Sequence, residues 1–274
     1  MLLSHYNRTI SSHGGDMALS GDYHTHTKYS RRNHGKGTVE EQVKAAVEKG
    51  LAQVAITDHG FNQVLYGVRR SDIPKLREEI EEAKSRYPIE VLLGVEANLI
   101  SARGDIDIVE SDYENLDVLL CGYHKLCKGV KKRDFFFLFK NLLSSVFHIT
   151  SRRQRERNTN AYINAMKNYD IDVLTHLNHG CKVDVQKVAK VAKETNTYIE
   201  LNGKRLGMTD KEIMIAYKEG VKFIINSDAH SPKRVGDCHL GLQAALRLGL
   251  PDSAIVNYNS LPTFKAEKRR KAKK

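Results

Sequence analysis

The chain has 274 residues, of which 41% are hydrophobic and 28% charged, with a formal net charge of +11. That is long enough to bury a sizeable core, as one large α/β domain or two small ones, and no run of about eighteen apolar residues offers a helical membrane span. Over half of the net charge lies in the last ten residues, KAEKRRKAKK, so the basic balance belongs to one end and does not mark a nucleic-acid-binding protein.

In chain order, residues 1–20 show neither an apolar signal core nor a cleavage pattern. They are read as an N-terminal extension of a cytoplasmic protein, with Met17 an alternative start. A first apolar run at 21–25 carries His24-Thr-His26 at its end. The capping box Thr38-Val-Glu-Glu41 opens a helix that stops at Gly50. A second run, 52–57, leads into Asp58-His59, and a helix follows over 71–87 with Pro74 in its first turn and Pro88 beyond its end. Runs at 89–95 and 117–121 are followed by Glu96 and His124.

The rhythm then breaks. Residues 125–168 read as a helical insertion in which Phe135, Leu138, Phe139, Leu142, Val146 and Phe147 recur at helical spacing. This stripe is expected to pack on the domain or in a subunit contact, the competing reading being an amphipathic membrane-surface helix. Arg152, Arg153, Arg155 and Arg157 form either a solvated face or an overhang above the site. The alternation resumes with runs at 171–175, 197–201 and 221–226, which lead into His176, the Glu200–Asn202 phrase and Asp228-Ala-His230. Helices are expected over 184–195, 209–219 and 238–249. Residues 263–274 are expected to be a solvated basic tail. The four cysteines (Cys121, Cys127, Cys181, Cys238) are scattered with no C-x-x-C pair and read as reduced thiols.

Seven short Val/Ile/Leu-rich strands alternating with helices describe one α/β domain with a buried parallel sheet. A closed barrel and an open doubly wound sheet both fit that alternation. The polar residues decide between them, because groups after nearly every strand must reach one place, which only a barrel permits easily. The expectation is a distorted seven-stranded (β/α) barrel over 21–262. Histidines two apart on a strand share a face, and the two such ligand pairs, at the first and last strand, become neighbours only if the sheet closes. A carboxylate such as Glu96 can bridge two ions. One His after one strand is more often structural, but this many at equivalent strand ends point to clustered metal ions.

The phrases DYHTHTKYS, AITDHG, GVEAN, GYHK, LTHLNHG and NSDAHSP, spread from residue 22 to 232, resemble the PHP (polymerase and histidinol phosphatase) family of metal-dependent phosphoesterases. The resemblance implies the same seven-stranded barrel and a nine-ligand site for three ions. His24, His26, Glu96 and Asp228 would hold one ion, and Glu96 would bridge to a second held by His124 and His176. The third would take His59, His230 and His34, the last at a slightly longer spacing from His26 than is usual in the family. His176 is preferred over His179 as the ligand after the fifth strand, and Asp58 is read as orienting a neighbouring histidine. A histidine-rich set suits Zn, Mn or Fe better than Mg or Ca.

Clustered divalent ions suit phosphate-ester hydrolysis by activated water, with no Ser, Cys or Asp nucleophile. Arg69, Arg70 and Arg234 are the expected phosphate contacts. The expected partner is a phosphorylated small molecule, as for a histidinol-phosphatase-type monoesterase, with no membrane partner and a homo-oligomer allowed. A phosphodiesterase or exonuclease acting on nucleic acid is the less favoured alternative, and a metal-binding regulatory scaffold the non-enzyme one. Amidohydrolase barrels share the opening H-x-H but normally have eight strands and a late lone Asp.

Overall fold

A computed structural model describes residues 19–129 and 131–272. Residues 1–18 of the N-terminal extension expected over 1–20 lie outside them. Seven strands form one parallel sheet in sequential order: β1 Gly21–Thr25, β2 Gln53–Ile56, β3 Glu90–Asn98, β4 Val118–Gly122, β5 Val173–Leu174, β6 Tyr198–Asn202 and β7 Phe223–Asn226. The sheet closes where β1 meets the segment after β7. Thr25 pairs with Ala229, the His26 N–H donates to the Ala229 carbonyl at 2.8 Å, and the Ala229 N–H donates back to His24 at 3.1 Å. The molecule is therefore a seven-stranded barrel, as the ligand distribution implied.

The helices are α1 Val39–Glu48, α2 Ile73–Arg86, α3 Asp134–Phe147, α4 Arg152–Asn168, α5 Val185–Glu194, α6 Asp210–Lys218, α7 His239–Arg247 and α8 Lys265–Ala272. Their local causes are legible. Thr38 and Glu41 make the reciprocal cap expected for α1, and a second box, Thr209 with Glu212, starts α6. Gly50, Gly220 and Gly249 follow α1, α6 and α7 with positive φ, the conformation that glycine adopts without cost.

Strand alternation sorts the barrel interior by height. Ala55, Leu92, Leu120, Val173 and Ile224 fill its lower part, together with Tyr23. Two residues further along the same inward faces stand Thr57, Thr175 and Asn226, and Glu96, Glu200 and Asn202 share that upper level. The interior is thus oily at the strand starts and polar at the strand ends, which places the chemistry at the C-terminal mouth.

Two expectations are corrected. As far as residue 272 the basic tail is not a solvated end. Phe264 closes the bottom of the barrel against Tyr23, ring centroids 5.1 Å apart, and α8 then crosses the strand starts. Its Arg270 pairs with Asp117 at 2.6 Å, and Arg269 with Asp170 at 2.6 Å and with Glu110, while Arg269 stacks on Tyr113. Seven cations in ten residues suggest repulsion when read alone, but in the fold Asp170 and Glu110 meet Arg269 and Asp117 meets Arg270, while Asp172 accepts from the Lys265 main-chain N–H.

The second correction concerns residues 125–168. Of this stretch, α4 is the ordinary barrel helix between β4 and β5, burying Ala161, Tyr162 and Ala165, so the true addition is α3 and its flanks. Of the apolar stripe of α3, Leu138 packs half-buried against the core and Leu142 is half-buried, but the rest does not pack inward. Phe135, Phe139, Val146 and Phe147 face solvent. The buried face is held by Phe137 and by Asn141, whose side-chain amide exchanges hydrogen bonds with that of Asn158 at 3.0 and 2.8 Å.

Candidate metal centre

The strand ends deliver their side chains to one cluster around Glu96. Its Oε1 lies 2.8 Å from His176 Nε2 and 3.3 Å from His24 Nε2. Its Oε2 lies 3.0 Å from His59 Nδ1, 3.2 Å from His124 Nε2 and 3.7 Å from His26 Nε2. Asp228 Oδ1 approaches His26 Nε2 to 3.4 Å and His24 Nε2 to 3.8 Å. His230 Nε2 faces His34 Nε2 at 3.2 Å, and His34 stacks on Tyr66. Three donor triads are close enough to hold an ion: His24 with His26 and Asp228, His59 with Glu96 and His124, and His26 with His59 and His230.

Two local devices make this convergence possible. The pairing of β2 with β3 continues past the strand as a His59–Glu96 bridge, which sets the imidazole beside the carboxylate. Gly122 leaves room for His176, since an added Cβ there would sit 2.8 Å from the imidazole Cε1. His176 and Asp228 themselves carry φ values of +32° and +52°. Left-handed backbone at non-glycine residues is strain of the kind that clusters at functional sites.

Burial without partners is the physical signature of the centre. His24 Nε2, His26 Nε2, both ring nitrogens of His59, His124 Nε2, His176 Nδ1 and Glu96 Oε2 are buried with no hydrogen-bond partner. Buried polar atoms are nearly always satisfied, and here orphaned atoms of His24, His26, His59, His124 and Glu96 lie in one cluster. Divalent cations would satisfy them together, so the donor set fits metal ions.

Burial lowers His59 to about 3 and His34 to about 4, and it lowers His26 and His230 as well, so these rings stay neutral with lone pairs to donate. Burial works against charge on His24 and His176 too, but the Glu96 carboxylate beside both, with Glu200, outweighs it and raises them. Burial also works against ionisation of Glu96 and Asp228, yet the surrounding histidines hold both well below the usual carboxylate range.

A ring of buried groups behind the donors fixes their orientation. Glu200 Oε1 is 2.7 Å from His24 Nδ1, and Glu200 Oε2 accepts from the His176 N–H at 2.9 Å and from Asn202 at 2.8 Å. Asn98 Oδ1 is 2.8 Å from His124 Nδ1, and Asn98 is in turn held by Asp107. Asp58 touches no histidine ring directly and reaches His26 only through Ser30, whose hydroxyl lies 3.4 Å from His26 Nδ1. It accepts from Thr27 and Ser30, in main chain and hydroxyl alike, and so ties down the loop after β1. Burial pushes its carboxyl up to about 6.

The arginines chosen as phosphate contacts are elsewhere. Arg70 is clamped by Asp112 at 3.0 Å and by the Asp107 carbonyl, and stacks on Phe61. Arg234 pairs with Asp237 at 2.8 Å. Arg69 is exposed beside Arg70, and none of the three lines the cavity over the donors. The cations that do line it are Lys125, Lys204 and Arg205. Lys125 follows His124 directly, and Lys204-Arg205 follow the IELNG phrase, so strand-end position was the signal that pointed to them. His179 sits at this rim, 2.6 Å from Arg205 Nη1, whereas His176 reaches into the cluster.

Comparison with known proteins gives the family and the fold. A PHP domain family model matches residues 22–232. A probable phosphatase from Thermoanaerobacter pseudethanolicus is 29% identical, covering 93% of this chain and 98% of the relative. One from Vibrio campbellii is 30% identical over 89% of this chain and 90% of its own length. The zinc-, L-histidinol- and phosphate-bound histidinol phosphate phosphatase of Lactococcus lactis shares the fold, with a TM-score of 0.57 at 15% identity, covering 91% of this chain and 98% of that one. The chain belongs to the PHP domain family, and it is a metal-dependent phosphoric ester hydrolase.

Proposed function

We propose that the centre holds three divalent ions, as Zn, Mn or Fe, and that the enzyme hydrolyses small-molecule phosphomonoesters of the histidinol-phosphate kind. His24, His26, Glu96 and Asp228 would hold the first ion. Glu96, His124 and His176 would hold the second, and His34, His59 and His230 the third. When bound, such ions supply Lewis acidity and ionise water near neutral pH.

The protein's own part is positioning. Glu96 offers both oxygens to different imidazoles and so fixes the spacing of the sites. Lys125, Lys204 and Arg205 present positive charge to the phosphoryl oxygens from the rim. Tyr66 and Tyr123 wall the cavity, which has a volume of about 270 Å³. That size carries the monoester reading: it lies near the lower end for ligand pockets, roughly 300–1,000 Å³, and suits a compact substrate.

The Bacillus subtilis DNA polymerase/3'-5' exonuclease PolX is 24% identical over 90% of this chain, although the match covers only 40% of its own length. A diester is therefore the right control substrate. The test is metal content by elemental analysis on purified protein, with turnover of p-nitrophenyl phosphate and bis-p-nitrophenyl phosphate. About three equivalents of transition metal with monoester preference support the reading. Diester preference, or one equivalent of metal with full activity, overturns the corresponding half. Arg205→Ala should raise KM for the monoester about tenfold with a smaller effect on kcat.

A further inference from the structure

The exposed face of α3 is more apolar than its buried face, the reverse of an ordinary surface helix. Phe135 and Phe136 are 61% and 63% exposed, Phe147 66% and Ile149, just past the helix end, 74%. With Phe139, Leu143 and Val146 they form one continuous patch, which a monomer in water rarely shows without a partner.

The surroundings of the patch are cationic. Between residues 131 and 157 there are eight Lys/Arg and two carboxylates, and one of those, Asp134, is buried. Between α3 and α4 runs a groove of about 400 Å³ whose walls include Leu143, Phe147 and Ile149, and whose cations are Lys140, Arg153 and Arg157. None of the three cations pairs with a carboxylate among the described residues.

We propose that α3 and this groove form a docking surface for an anionic lipid bilayer, with the phenyl and aliphatic side chains entering the acyl boundary and the groove taking a lipid phosphate. The helix has 14 residues, and no helix among the described residues is long and apolar enough to cross a membrane. It would therefore lie in the interface plane. Apolar anchors with a basic border match an anionic surface in both terms.

The other occupants match less well. A second copy would bring the same cations together across a two-fold axis. A nucleic acid would leave Leu143, Val146 and Ile149 with no base-stacking role. Docking also has a geometric consequence: the Tyr123 hydroxyl, on the wall of the catalytic cavity, donates to the Leu138 carbonyl of α3 at 3.1 Å. The bilayer would lie beside the mouth of the metal centre. This departs from the expectation of no membrane partner, in which the stripe was to pack on the domain or in a subunit contact.

The test is co-sedimentation of the metal-loaded full chain with vesicles of phosphatidylcholine alone or of equimolar phosphatidylcholine and phosphatidylglycerol, at low and high salt. The variants are F135S/F139S/F147S and K140Q/R153Q/R157Q, with turnover of dissolved p-nitrophenyl phosphate as the check on folding. The wild type should bind the anionic vesicles at least about tenfold better than the neutral ones, and salt should weaken that binding. The phenylalanine variant should lose at least about tenfold in binding, and the basic variant should lose both binding and salt dependence, with turnover unchanged in each. Equal binding to the two vesicle types, or none to the anionic ones, overturns the proposal. So does a wild-type dimer in sedimentation velocity that the phenylalanine variant dissolves, since a second copy then covers the face. A single-stranded oligonucleotide bound more tightly than the vesicles, and still bound by the phenylalanine variant, also overturns it.

Discussion

Glu96 lies within 3.7 Å of five imidazole rings, at the centre of a cluster of buried polar atoms that lack partners. Residues that donate directly and residues that hold the donors should separate on mutation. Asp228→Ala and His26→Ala each remove a donor from the His24, His26 and Asp228 triad. Both should abolish turnover and lower bound metal, measured by p-nitrophenyl phosphate assay and elemental analysis on the same preparation. Full activity in either would remove that triad from the mechanism. Glu200→Gln keeps the shape of the side chain but weakens its hold on His24 Nδ1. Metal affinity or kcat should fall by about 10–100-fold, the usual effect of losing an orienting carboxylate, read by metal titration with a chelating dye. An affinity and a kcat equal to wild type would make Glu200 a packing residue.

At the scale of elements, α8 shows how a charged segment becomes structure. The Lys265 N–H donates to Asp172 Oδ1, and the Lys265 ammonium bonds the Thr195 carbonyl at 2.9 Å, so the start of the helix is locked across the strand starts. Burial pushes the Asp172 carboxyl from the usual 3.8 up to about 7. Between those two values the folded protein keeps a proton that the unfolded chain has released. This group's contribution to stability is therefore greatest at low pH, falls as pH rises through that window and levels off above about 7. The melting temperature of Asp172→Asn relative to wild type should accordingly rise from about pH 4 to about pH 7 and then stay flat. Differential scanning fluorimetry across that range checks it, and a constant difference would show that Asp172 does not titrate in this way. The contrast with α3 is instructive, because α8 finds carboxylates for most of its cations while α3 exposes both its phenyl rings and its basic border.

For the whole molecule, the ion cluster is also a structural joint. Its donors come from the ends of six of the seven strands, β1 to β5 and β7, with Glu200 of β6 behind them. Ions bound there would tie the mouth of the barrel together. Removing them should leave the imidazoles and the Glu96 and Asp228 carboxylates crowded, with buried ring nitrogens that lack partners. Stripping metal with a chelator should lower the melting temperature by roughly 10 °C, since ligand at about a thousand times its Kd adds about 4 kcal/mol and a chain of this size moves about 2–4 °C per kcal/mol. Zn or Mn should restore it. A melting temperature that stays put while elemental analysis shows the metal gone would mean that the cluster is stable by itself.

The sequence alone determined the alternation of strands and helices, the seven-fold strand count and the identity of the groups at the strand ends. Those are short-range properties: an apolar run followed by His or Glu is visible in a few residues, and Thr38 with Glu41 announces a helix start without help from the rest of the chain. What only the tertiary structure decided involves partners that are distant in sequence. Glu200 finds His24 across 176 residues, and Arg270 finds Asp117 across 153. Arg69, Arg70 and Arg234 were chosen by nearness to a motif, but a loop's direction determines where a long side chain ends, and Lys125, Lys204 and Arg205 occupy the rim instead. Periodicity likewise identified the stripe on α3 and led to the expectation that it packs, whereas the fold buries Phe137 and the Asn141–Asn158 pair and leaves Phe135, Phe139, Val146 and Phe147 outward. Hydrophobic pattern says which residues share a face. Closure of the barrel, with β1 joined to the segment after β7, decides which faces and which donor atoms come together.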